Sequence, residues 1–382
     1  MLKALIRAAL AAMFLSGAGG MAAANVPEKA LVPIPAATLA LMRARDTDPG
    51  APILMRAFKK EGEIELWKMS RSGRYVLLKT YPICRWSGQL GPKQKTGDRQ
   101  TPEGFYSVAP GQMNPNSSFH LSFDLGYPNA YDRAHGGTGS YLMVHGTCSS
   151  AGCFAMTDEQ ISEIYAVARE AFAGGQRAFQ FHSFPFRLTA QNMARARSEK
   201  HIGFWRELKE GYDRFEAAGE DLAIGVTGKR YSFGPSRSPA REALVQARRA
   251  QESEKTAALV ADGIAAVRVT YEDGGMHAAF ASLSRRGVHV GAVSRPETLA
   301  LAGREIVVTP ARPKPVLAAL PVQQLGFGPA SGGLRAVFAP ALLARPIQLR
   351  PGAAPASMAG ASPILPASGF RPVLTAVALR GA

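Results

Sequence analysis

The sequence predicts an α+β protein, mainly β, with its folded part in the first two thirds of the chain. Three observations carry that expectation. Short β-branched and aromatic runs, separated by Gly, Pro and Ser, recur between residues 51 and 190. Apolar residues return at helical spacing at 157–173 and again at about 190–218. From residue 309 onward, twelve prolines stand among small residues with no sustained period, which predicts a disordered tail.

At the N-terminus, Lys3 and Arg7 precede an apolar run over 8–15, and Ala22-Ala23-Ala24 supplies an A-x-A site. A charged start, a core too short to span a bilayer and small residues at the cut predict a signal peptide over 1–24, hence export. Residues 25–50 read as a linker or short helix. Strands are predicted at 63–69, 74–82, 105–108, 119–123, 141–145 and 178–183. The Gly- and Pro-rich stretch 87–104 reads as a long functional loop. Thr157 with Gln160 forms a capping box ahead of Ile161, Ile164, Tyr165 and Ala168, and Gly174-Gly175 ends that helix. A small accessory region is expected over 232–308, with a helix at 239–268 and strands at 267–271, 287–293 and 304–308.

The formal net charge of +16 suits an anionic partner. Export argues against nucleic acid and for an anionic envelope polymer or surface. Residues 306–382 hold seven basic and no acidic residues, so the tail itself is expected to touch anionic surfaces. Three cysteines, Cys84, Cys148 and Cys153, are an odd number for an oxidising compartment. Cys84 and Cys148 could pair and leave Cys153 free. A Cys148–Cys153 bridge would instead put redox control on Cys153.

The most informative stretch is 141–156, YLMVHGTCSSAGCFAM. An apolar strand ends on His145, a polar loop follows, and Gly152-Cys153 lies just before the helix cap. Only a thiolate attacks, and a nearby helix N-terminus and imidazole are expected to lower the thiol pKa. Cys153 is thus the expected nucleophile and His145 its base. A backbone carbonyl is expected to hold the imidazole, since no third catalytic side chain stands out. Gly146, Ser150 and Gly152 are the supporting residues, with loop amides available to an oxyanion. Taken singly, a buried Cys and a core His need no function. Together, flanked by glycines across a polar loop, they point to chemistry. Zinc on His145, Cys148 and Cys153 is a weaker alternative, because no fourth ligand is evident. No cofactor or metal is called for, and a P-loop is a poor alternative because no GxxxxGK[ST] occurs.

The run HGTCSSAGC resembles the HG…S-x-G-C motif of the YkuD-type L,D-transpeptidases. The blocks at 87–106, 114–134, 154–161 and 204–216 resemble the YafK-like branch of that family. The resemblance spans about 51–231. It implies a β-sandwich or barrel-like catalytic domain over 51–190 and a helical extension over 191–231. It also implies a periplasmic enzyme that forms an acyl-enzyme on Cys153 with a peptidoglycan stem peptide. An amine acceptor then gives transpeptidation, and water gives hydrolysis. Many family members carry His before the motif Gly and Arg soon after the Cys, where this chain has Ala151 and Phe154-Ala155. That departure favours the YafK-like branch, some of whose members release outer-membrane lipoprotein from peptidoglycan. A non-catalytic wall-binding module is the rival from another class.

Lys93 and Arg99, with Arg85, are expected to meet stem-peptide carboxylates, the alternative being a solvated charged loop. His120, on the predicted strand 119–123, is expected to line the cleft. His182 reads as structural.

Overall fold

The computed structural model describes residues 26–312. The proposed signal peptide and all of the basic tail beyond Arg312 lie outside the described residues. Thirteen strands are described: β1 (Ile53–Phe58), β2 (Glu63–Met69), β3 (Tyr75–Pro82), β4 (Gly104–Val108), β5 (Met113–Asn114), β6 (Ser122–Asp124), β7 (Met143–His145), β8 (Phe154–Ala155), β9 (Phe179–Phe184), β10 (Ile224–Thr227), β11 (Arg230–Phe233), β12 (Ala266–Thr270) and β13 (Arg304–Thr309). The helices are α1 (Ala36–Ala44), α2 (Ala130–Ala134), α3 (Asp158–Ala173), α4 (Ala190–Arg195), α5 (Ile202–Ala218), α6 (Pro239–Ala261) and α7 (Ala278–Arg285).

One sheet has the order β3-β2-β1-β9-β4 and a second the order β5-β6-β7-β8. The expected α+β, mainly β architecture is present, but among the described strands the sheets stay separate and close no barrel. Strand β9 shows how the layers form. Phe179 and Phe181 meet Phe123 of the second sheet, with ring centroids 5.5 and 6.4 Å away. His182 and Phe184, on the other side of the pleat, meet Phe215 and Tyr212 of α5. Helix α3 joins the first of these layers by stacking Phe172 on Phe179.

Strand β1 was not predicted from the sequence. All six of its residues are buried, so it shows no in-out alternation, and Arg56 in its middle reads as a polar break. That guanidinium lies among the rings of Phe58, Trp67, Tyr212 and Phe215 and reaches Glu216 at 2.7 Å.

Other expectations shift. The strand expected at 119–123 starts only at Ser122, because His120 takes a left-handed backbone (φ 64°). The helical stretch 190–218 is two helices, with turns between Ala196 and His201. The helix expected at 239–268 ends at Ala261, where Gly263 turns the chain (φ 78°). Residues 287–293 form a loop rather than a strand. Within 25–50, α1 packs Met42 into the core.

The loop 87–104 is fastened from below. Lys59, fully buried after β1, donates to Glu103 Oε1 at 2.9 Å and to the carbonyls of Thr101 (2.9 Å) and Gly91 (3.2 Å). Burial pushes its ammonium below the usual lysine range, and Glu103 opposes that shift. Glu103 also accepts from the Gly91 amide and the Trp205 indole. Glu103→Ala should therefore strand a buried cation and destabilise the protein by about 3–5 kcal/mol. Urea unfolding would check this, and a loss under 1 kcal/mol would contradict it.

Candidate active site

The second sheet sets the two central residues side by side. Strands β7 and β8 run parallel, with Val144 opposite Phe154 and His145 opposite Ala155. Extending that register by one residue places Cys153 opposite Met143, and the Met143 amide does point at Cys153 Sγ, 3.4 Å away. Val144 and Phe154 are fully buried in the core. By alternation, His145 and Cys153 both project from the opposite face, two residues apart on neighbouring strands, or about 6–7 Å along the strand direction. Both line one cleft of about 430 Å³, together with Lys93, Phe119, Tyr141 and Ser149.

His145 is oriented by backbone. Its Nδ1 lies 2.6 Å from the Gly146 carbonyl. A carbonyl can only accept, so Nδ1 carries the proton and Nε2 is the basic nitrogen. The Phe119 ring covers the imidazole at 4.7 Å. Burial holds the imidazole pKa below its ordinary value, partly offset by the Gly146 hydrogen bond. It is therefore neutral at neutral pH, as a base requires.

Cys153 is the free cysteine among the described residues. The lowered thiol pKa expected from the sequence is not found. Burial pushes the thiol up to about 11, and the nearby Asp124 carboxylate adds to the rise. The Met143 amide and Lys93 pull the other way without prevailing. Helix α3 begins only at Asp158, with β8 and Thr157 in between. No hydrogen bond joins Cys153 to His145 among the described residues. The resting pair is a neutral thiol facing a neutral imidazole across the cleft.

The loop between them is tightly specified. Cys84 and Cys148 form a disulfide, with Cα atoms 5.1 Å apart. Cys148 is thus withdrawn both from a bridge to Cys153 and from a zinc set. Ser150, 2% exposed, donates from Oγ to the Cys153 carbonyl at 2.8 Å and meets Ser87 Oγ at 2.9 Å. Thr101 reaches the same Cys153 carbonyl at 3.2 Å. Gly152 has φ 143°, a left-handed value that favours glycine. Gly146 leaves no room for a side chain: an added Cβ would meet Asp158 Oδ1 and lie 3.0 Å from the Phe119 carbonyl. Its amide donates to Phe119 O at 3.0 Å, so Gly146 is not an oxyanion donor and serves instead through its carbonyl.

The cations expected to bind substrate divide. Lys93 lines the cleft, although its ammonium is paired with Asp98. Arg99 points away, giving Nη2 to Asp273 at 2.7 Å and to the Ser150 carbonyl at 3.1 Å. Arg85 is fully buried and bonded to Ser294 O, Trp86 O and Thr298 Oγ1. Arg99 and Arg85 are thus structural ties, Arg99 through Asp273 and the Ser150 carbonyl, Arg85 through bonds from all three of its guanidinium nitrogens. His120 bonds Ser162 Oγ at 2.8 Å and turns toward α3, outside the cleft lining. Phe119, Ser294 and Asp273 were not singled out from the sequence. Phe119 carries no local signal, and the other two lie more than a hundred residues beyond the motif.

The pattern of the L,D-transpeptidase catalytic domain, YkuD, matches residues 58–173. The YafK proteins of Escherichia coli K12 and O157:H7, both named as L,D-transpeptidases, are each 44% identical to this chain over 182 residues. That alignment covers 48% of this chain and 74% of each YafK. Among solved structures, the helical cell shape determining protein Pgp2 of Campylobacter jejuni overlaps loosely, with TM-score 0.28 and 12% identity over 61% of this chain and 80% of that one. Bd1075 of Bdellovibrio bacteriovorus gives TM-score 0.25 and 15% identity over 59% of this chain and 77% of its own. With a curated relative matched at this identity over most of its length, the chain belongs to the L,D-transpeptidase family with a YkuD-type catalytic domain.

Proposed function

We propose that the protein is a cysteine acyltransferase acting on the peptide part of peptidoglycan, with Cys153 as nucleophile and His145 as general base. The observation that carries this reading is the placement of both side chains on one face of the β7–β8 pair, opening into one cleft. His145 Nε2 takes the proton of Cys153 Sγ as the sulfur adds to a stem-peptide carbonyl. The tetrahedral oxyanion forms beside the Cys153 amide. The C–N bond then breaks, and the leaving amine takes the proton back from the imidazolium. The thioester left on Cys153 passes its acyl group to an amine, giving a cross-link, or to water, giving hydrolysis.

Ala151 and Phe154-Ala155, at positions where many relatives carry His and Arg, favour the YafK-like branch, as does the 44% identity to YafK, and one version of that branch's chemistry is hydrolytic. On that version the acyl donor is a stem peptide bearing outer-membrane lipoprotein, and the protein releases it. A periplasmic location fits this role. It is supported by the N-terminal charged-apolar-small pattern and by the Cys84–Cys148 disulfide, which suits an oxidising compartment.

The test is to incubate the purified protein with muropeptides, record its intact mass and separate the products. A mass increase equal to one acyl group on Cys153 supports the thioester. Shortened or released peptides indicate water as acceptor, and new dimers indicate an amine. Unchanged muropeptides with an unmodified Cys153 would leave only a wall-binding module.

A further inference from the structure

The family match ends at residue 173, yet the loop that carries Cys153 is held by residues a hundred or more positions further on. Ser294 makes a reciprocal pair with Ser150. Its Oγ accepts from the Ser150 amide at 3.0 Å and donates to the Ser150 carbonyl at 3.1 Å. Ser150 in turn holds the Cys153 carbonyl. The Ser294 carbonyl accepts from Arg85 Nε at 3.0 Å, and the Arg85 backbone exchanges hydrogen bonds with Ala155, two residues after Cys153. The path Cys153–Ser150–Ser294–Arg85–Ala155 therefore closes on itself around the nucleophile.

A second tether runs beside it. Asp273 is 2% exposed and accepts from the Gly88 amide, from Arg99 Nε and Nη2, and from Arg295 Nη1 at 3.1 Å. Arg99 Nη2 also donates to the Ser150 carbonyl, so that one oxygen receives both a guanidinium and a hydroxyl. A buried carboxylate shared among arginines is strongly directional, because each guanidinium presents its donors in a fixed fork.

We infer that Asp273 and Ser294 are positioning residues of this active site, and that residues 271–298 complete it by holding the Cys153 loop in register with His145. This rests on the reading of Cys153 as nucleophile. Neither residue touches the cleft, so their effect passes through Ser150. A displacement of about 1 Å at the attacking atom can cost on the order of a hundredfold in rate, whereas substrate binding across the rest of the cleft need not change. Loss of the tether should therefore appear in kcat rather than in KM.

The experiment compares wild type, Ser294→Ala, Ser294→Thr and Asp273→Asn as full chains. It measures kcat and KM on muropeptides, the unfolding midpoint, and the pH dependence of Cys153 alkylation by iodoacetamide. Ser294→Ala should lower kcat about tenfold with KM within about twofold, and Ser294→Thr, which keeps the hydroxyl, should restore it. Asp273→Asn should do the same or more. In both damaged variants the alkylation inflection should move down from near 11 toward the ordinary thiol value, because a loosened loop exposes the sulfur. Wild-type kcat and an unmoved inflection in Ser294→Ala and Asp273→Asn would overturn the inference. So would a loss of kcat only in proportion to unfolded protein. If wild type itself leaves muropeptides untouched, the nucleophile reading fails, while the alkylation profiles still report whether the loop is held.

Discussion

Cys153→Ala should reduce muropeptide turnover by about four orders of magnitude or more, to the background of the assay, while leaving the protein folded and able to sediment with isolated sacculi. On the proposed mechanism, removing one sulfur deletes the atom that forms the covalent bond, and no neighbour among the described residues replaces it. Ser149 shares the cleft but is not poised on the β7–β8 register, and Cys148 is locked to Cys84. The rest of the cleft is unaffected by the change. The side chain lost is small, and the Cys153 carbonyl keeps its hydrogen bonds from Ser150 and Thr101 when the sulfur is gone. Binding to the wall should thus survive when chemistry does not. This separation distinguishes an enzyme from a wall-binding module, because a binder would lose nothing. The same variant should fail to form an adduct with a carbapenem-type β-lactam, read by intact mass. An adduct of wild-type stoichiometry on Cys153→Ala would move the nucleophile elsewhere.

How much of this could be read beforehand depended on how local each determinant is. Strand β2 matches its predicted span residue for residue, with turns on either side marking its ends. Helix α3 was equally plain, because Thr157 and Gln160 form a capping box within four residues and Gly174 closes the other end. His145 and Cys153 are eight residues apart, so the segment that carries them is legible as a unit. Strand β1 was hidden for the opposite reason. Buried on both faces, it shows no alternation, and Arg56 is tolerable there because rings of β1, β2 and α5 surround it and Glu216 of α5 pairs with it.

The charges of the loop 87–104 divide in a way the chain's own order does not express. A lysine or arginine in a glycine-rich loop looks like a ligand for an anion until its counter-ion is known. Asp98, five residues from Lys93, was in view, whereas Asp273, the partner of Arg99, was not. The ionisation of Cys153 was also out of reach. It depends on how deeply the sulfur is covered against Tyr141 and Met143, which spacing along the chain does not express.

That ionisation leads to a second large effect. With its thiol pushed up to about 11, against an ordinary 9.0, Cys153 should react with iodoacetamide about a hundredfold more slowly at pH 8 than an unburied thiol, the rate rising roughly tenfold per pH unit up to the inflection. Turnover should follow a different profile. His145 must be neutral to accept the proton, and its pKa lies below the ordinary 6.5, so activity should be lost only as the pH falls through that lowered value and should hold across neutral pH. His145→Ala should then cost about a hundredfold to ten-thousandfold in kcat while leaving alkylation at neutral pH nearly unchanged, since the imidazole does not ionise the resting thiol. The alternative is a standing thiolate–imidazolium pair. It would make wild-type alkylation fast at pH 7 and would make His145→Ala slow it sharply. One reagent, two proteins and a pH series decide between a proton moved during attack and a proton moved beforehand.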